Sequence, residues 1–149
     1  MSQALLIVHL STLDAYVWEY GAEKGHRLAE ALRVSFSSPG PLIITDEGAP
    51  LLGKESQARK AILESLQGRA QVTWFAHDDI EGDWEVPMQR LGQVLRDQGL
   101  THLRIGGVFA TRDGSRGCVN ETMKWLAKQG FYCTLDAALC GFEEEERGE

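Results

Sequence analysis

The stretch GGVFATRDGSRGCVNET, Gly106–Thr122, decides the fold because its periodicity changes halfway. It opens inside His102–Val108 (HLRIGGV), a short apolar run that reads as a strand. From Cys118 onward apolar residues recur at helical spacing as far as Gln129, and Gly130 suits the end of that helix. Strand, glycine-rich turn and helix together make half of a β–α–β unit.

The same alternation extends both ways. Upstream, Val86–Gln98 reads as a helix, with Pro87 tolerable in its first turn and Gly99 at its C-terminal cap. Val72–Ala76 (VTWFA) and Leu42–Thr45 (LIIT) read as strands, and Ser56–Leu66 between them as a helix. Ala22–Arg33 is a further helix after the run Ala4–Leu10 (ALLIVHL), whose near-continuous apolarity suits a strand buried on both faces. Downstream, Phe131–Leu135 (FYCTL) is the last strand. Regular alternation predicts an α/β fold, a three-layer α/β/α sandwich with five or six mainly parallel strands. Right-handed crossovers leave a Rossmann-like order 3-2-1-4-5, with the flavodoxin-like order 2-1-3-4-5 as the alternative. In the first order the ligand crevice lies beyond the ends of strands one and four, after Leu10 and Val108.

The chain has 149 residues, 43% hydrophobic and 25% charged, which suits one soluble domain. Residues 1–142 are expected to form it, followed by an acidic, disordered tail, 143–149. The net charge is −7, of which −4 belongs to that tail. There is no basic nucleic-acid footprint, and no apolar run reaches the ~20 residues of a membrane span. Met1 leads almost at once into Ala4–Leu10 without a basic n-region. The expected location is therefore the cytoplasm, with Cys118, Cys133 and Cys140 as free thiols.

Chemistry concentrates at the turn before Cys118. A cysteine in a helix's first turn meets unpaired N–H groups and the positive end of the helix dipole, which favour a thiolate. Such a thiolate attacks an acyl carbon, and the same N–H groups stabilise the oxyanion. Arg112 and Arg116, with Gly117, can instead cradle a phosphate or carboxylate. The plain alternatives are an inert, packed cysteine and a solvated charged loop. Neither nucleotide fingerprint, GxGxxG or GxxxxGK[ST], is present. His77, Asp78, Asp79 and Asp46 are oxygen-rich but lack a diagnostic ligand spacing, so no metal and no cofactor is expected. Trp18 and Trp84 fall in predicted loops after strands one and three, where they would line the crevice mouth.

Gly107–Val108, Cys118–Val119–Asn120–Glu121–Thr122, Gly130 and Asp136–Ala137 resemble the C-terminal signature of the isochorismatase-like hydrolases, the cysteine hydrolase superfamily that includes nicotinamidases. Ala4–Leu10 is similar to that family's first strand, and Leu42–Asp46 to its second, which ends in an acidic residue. The resemblance implies an Asp–Lys–Cys triad with Cys118 as nucleophile, and a homo-oligomer. Two of the three positions depart from it. Where the Asp closes strand one, this chain has Val8–His9–Leu10–Ser11. Where the lysine follows strand three, His77–Trp84 contains none. The turn before Cys118 is also several residues longer.

Two readings follow. One is a divergent member without the standard triad, either inactive or a small amide or ester hydrolase using Cys118 with His9 as base. The other is a non-catalytic module that binds a small anion or serves an assembly. The candidate site residues are Cys118 and His9 for chemistry, and Arg112, Arg116, Gly117, Asp46 and Trp84 for ligand binding. A small molecule is the expected partner, not nucleic acid or membrane.

Overall fold

The computed structural model describes residues 3–10, 13–46, 62, 64–66, 71–76 and 84–144. Within them the order is β1 (Gln3–Val8), α1 (Leu13–Tyr20), α2 (Ala22–Ser35), β2 (Leu42–Asp46), β3 (Val72–Ala76), α3 (Glu85–Asp97), β4 (His102–Ala110), α4 (Cys118–Lys128) and β5 (Tyr132–Phe142). The five strands form one parallel sheet in the order β3-β2-β1-β4-β5. That is the predicted Rossmann-like order, and the flavodoxin-like alternative is excluded.

Central β1 explains its own composition. Leu6 pairs with Ile43 of β2 on one side and Ile105 of β4 on the other. Ala4, Leu6 and Val8 face the core under α3 and α4, while Leu5 and Ile7 face the core under α1 and α2. Both faces are covered, so every second residue cannot be polar. Leu6 and Ile7 are fully buried, each stabilising the fold by roughly 1.5–3 kcal/mol.

Three features differ from the sequence reading. First, α1 was not expected. Leu13, Tyr16 and Tyr20 have helical spacing and are buried, but aromatic and β-branched residues weaken the propensity signal. Trp18 therefore sits on a helix, 90% exposed, and is not in a loop lining the crevice. Second, β4 and β5 run further than predicted, to Ala110 and Phe142. Third, an advance of two residues along β4, Ile105 to Gly107, is matched by five along β5, Leu135 to Cys140. The extra residues form an irregularity held by Asp136, whose Oδ1 accepts the Ala138 N–H at 3.2 Å and whose Oδ2 lies 3.6 Å from Arg104 Nε. Such interruptions break the alternation that marks a strand in sequence.

Of the predicted helix Ser56–Leu66, only Ile62 and 64–66 are described; Ile62, Glu64 and Ser65 are helical. Among the described residues no helix is long and apolar enough to cross a membrane.

Candidate functional site

All five strands are parallel, so their carboxyl ends lie along one edge of the sheet. His9 follows β1 there. Its backbone has φ 51, a left-handed conformation that histidine tolerates better than most side chains. The His9 N–H donates to the Thr45 carbonyl at 2.9 Å, tying the end of β1 to the end of β2. The side chain is fully buried. Its ring stacks on Trp84, the residue before α3, with centroids 6.4 Å apart and planes 26° from parallel. Asp46 closes β2 beside Thr45, and only its backbone is described.

Next to β1, β4 approaches unusually closely. Gly107 pairs with Val8 and has φ 131, and a Cβ there would stand 2.2 Å from the Val8 carbonyl oxygen. The Val108–Phe109 peptide that follows is cis. The turn to α4 is braced from within. Thr111, almost fully buried, donates its N–H to Asn120 Oδ1 at 2.7 Å and its hydroxyl to the Arg116 carbonyl at 2.9 Å. Asp113 accepts both the hydroxyl and the N–H of Ser115. Those bonds, the hydroxyl first, hold the Asp113 carboxyl below the usual carboxylate range.

Cys118 opens α4 as the sequence predicts, after Gly117 with φ 100. A Cβ at Gly117 would come 2.7 Å from the Phe109 carbonyl oxygen, so this glycine serves the turn's geometry. Cys118 is half-buried and, like Trp84 and Phe75, packs against the core under α3 and α4.

The two arginines of the turn meet the residues at and after the end of β5. Arg116 Nε donates to Glu143 Oε2 at 2.7 Å, and this bond raises the guanidinium's pKa. Arg116 lines a cavity of about 300 Å³ with Glu19, Tyr20, Phe109 and Glu143. The Arg112 N–H donates to both carboxylate oxygens of Glu144, at 3.1 and 2.9 Å. Its guanidinium lies over the Phe142 ring, 4.2 Å from the centroid. The structure thus brings His9 and Trp84 together and sets Cys118 on the same core. It engages Arg112 and Arg116 with the carboxylates that follow β5, Arg116 beside Glu19 and Tyr20 of α1 and Arg112 over Phe142.

Sequence reasoning missed Thr45, Thr111, Asn120, Glu143 and Glu144. Asn120, a polar residue in the first turn of a helix, was the one with a local signal. His77–Asp83, where the family lysine was sought, lies outside the described residues.

All three cysteines are free thiols. Burial pushes Cys133 up to about 11 and Cys140 up to about 12. A thiol whose folded pKa is raised contributes stability that is complete below its unfolded value. That contribution is lost as pH rises from about 8.5, the ordinary thiol value. Urea unfolding measured from pH 8 upward is expected to show stability falling until pH passes about 12. Cys140→Ala should make the decline shallower; an unchanged slope would show that this thiol is not the buried acid described.

No known family pattern and no curated protein sequence matches the chain. Among solved structures it is similar to the nicotinamidase SaPncA from Staphylococcus aureus, with a TM-score of 0.66 and 15% identity over 95% of this chain and 83% of that one. At that identity the likeness carries the fold, so the chain has the three-layer architecture of a nicotinamidase.

Proposed function

We propose that the chain is a divergent isochorismatase-like protein that keeps the crevice of this fold as a small-molecule site and lacks the Asp–Lys–Cys hydrolase chemistry. The observation that carries this reading is His9. It stands where the resembled family closes its first strand with an acid, fully buried and stacked on Trp84. An imidazole there supplies no negative charge, so it does not replace a carboxylate as proton acceptor. On the same reading the protein works in the cytoplasm as a homo-oligomer, without metal or cofactor.

A second reading rests on a separate observation. Cys118 begins an α-helix, is half-buried, and has the N–H groups of the first turn beside it. In that reading the Cys118 thiolate adds to the carbonyl carbon of a small amide or ester. The tetrahedral intermediate expels ammonia or an alcohol, and water hydrolyses the thioester to return the thiol.

Ammonia release from nicotinamide and other small primary amides, with ester hydrolysis in parallel, separates the two. We expect no turnover that depends on Cys118. Turnover that Cys118→Ser abolishes would overturn the non-hydrolytic reading and establish the second.

A further inference from the structure

The turn between β4 and α4 is held twice, by two kinds of contact. The inner brace is neutral. Thr111, almost fully buried, gives its N–H to Asn120 Oδ1 at 2.7 Å and its hydroxyl to the Arg116 carbonyl at 2.9 Å, and that hydroxyl accepts the Arg116 N–H at 3.2 Å. The outer contacts come from the two residues after β5. Glu143 continues the sheet, its N–H donating to the Ala110 carbonyl at 3.0 Å, and its own carbonyl accepts the Tyr20 hydroxyl at 2.7 Å. From that anchored backbone, Glu143 Oε2 accepts from Arg116 Nε at 2.7 Å, and the Glu144 carboxylate accepts the Arg112 N–H on both oxygens, at 3.1 and 2.9 Å. These outer contacts are charged and lie at the surface: the Arg116 side chain is 66% exposed, and Glu144 is exposed.

We propose that Glu143 and Glu144 form a salt-sensitive strap that fixes the start of α4, the helix that Cys118 opens. The two sets of contacts meet on the same residues. Arg116 is the charged partner of the strap and, through its carbonyl, an acceptor in the brace. Arg112, whose N–H the strap holds, is the neighbour of Thr111. Contacts that share residues are coupled, so loosening one set loosens the other. The brace in turn reaches the helix, because Asn120 lies in the first turn of α4, two residues after Cys118. The next residue, Glu121, makes the opening bond of the helix, its N–H donating to the Gly117 carbonyl at 2.9 Å. Salt separates the two sets. An exposed ion pair is weak and is screened as the Debye length falls, whereas the neutral hydrogen bonds of a buried threonine are not. The strap therefore yields first, and ionic strength sets how firmly the helix start is held. A strap of this kind acts whether Cys118 is a nucleophile or not.

Amide hydrogen exchange of the full chain, read by NMR in about 0.1 M and about 1 M sodium chloride, where the Debye length is about 10 and about 3 Å, tests this. The reporters are Thr111 and Glu121, whose N–H groups donate to Asn120 and Gly117 and not to the strap. Leu100, whose N–H donates to the Leu95 carbonyl at 3.0 Å just after α3, is the control. Both reporters are expected to exchange about threefold faster at the higher salt, the worth of one exposed ion pair, with Leu100 unchanged. Glu143→Gln combined with Glu144→Gln keeps the backbone anchors to Ala110 and Tyr20 and removes the charges. That protein should exchange as fast at low salt as the parent does at high salt, and should lose the response. Arg116→Glu alone should behave likewise, and adding Glu143→Arg to it should restore slow exchange at low salt, which a merely steric role of either side chain would not do. Reporters indifferent to salt in the parent would overturn the proposal. So would a salt response that survives in the doubly neutral protein, or faster exchange confined to the Arg112 N–H.

Discussion

Gly107→Ala is expected to cost about 4 kcal/mol or more, a large share of a domain stability of order 5–15 kcal/mol. Two effects act together. The backbone at Gly107 has φ +131, where an L side chain is strained by about 1–3 kcal/mol. The added Cβ would also stand 2.2 Å from the oxygen and 2.6 Å from the nitrogen of Val8. Both are main-chain atoms of the central strand, with no rotamer through which to retreat. Any relief must move the end of β1, and with it His9. Gly99 is the control. It has φ +73 but nothing within 4 Å of the added Cβ, so Gly99→Ala should cost only about 1–2 kcal/mol. Denaturant midpoints of the two variants check this; equal losses would mean that the Val8–Gly107 approach is not tight.

Alkylation at pH 8 is expected to strike Cys118 at least about tenfold faster than Cys133 or Cys140. Thiols at about 11 and about 12 present very little thiolate at that pH. A more basic thiolate is intrinsically more nucleophilic, which returns about one order of magnitude of a deficit of two to three. Burial of Cys140 then adds to its own difference. Peptide mapping of singly labelled protein reads the result, and comparable rates at Cys133 or Cys140 would contradict their raised pKa values. The absolute rate at Cys118 has a separate meaning. A rate well above that of a free thiol favours the hydrolytic reading, and a rate at or below it favours the non-hydrolytic one.

The layout of the sheet was legible because it is written in local periods. ALLIVHL at Ala4–Leu10 is apolar throughout since β1 is buried on both faces, and Leu5 and Leu6 go to opposite cores. The start of α4 at Cys118 and the stop near Gly130 were legible for the same reason: helix ends carry their own residue chemistry. What failed were elements with weak or interrupted patterns. Helix α1 is short and rich in aromatics, and β5 contains extra residues between Leu135 and Cys140. Both were read as loop or left too short.

The sequence by itself determined the alternation of strands and helices and the position of Cys118 at a helix start. Each of these is set by residues adjacent along the chain. Only the tertiary structure decided what the charged turn does. Arg116 meets Glu143 and Arg112 meets Phe142 and Glu144, partners about thirty residues away in the sequence. The stacking of His9 on Trp84 joins still more distant segments. A periodic pattern tells which side of an element is buried, but the partner of a polar side chain depends on where the crossovers bring other segments. In this chain they bring Arg116 against Glu143 and Arg112 against Phe142 and Glu144, although both arginines stand only a few residues before Cys118.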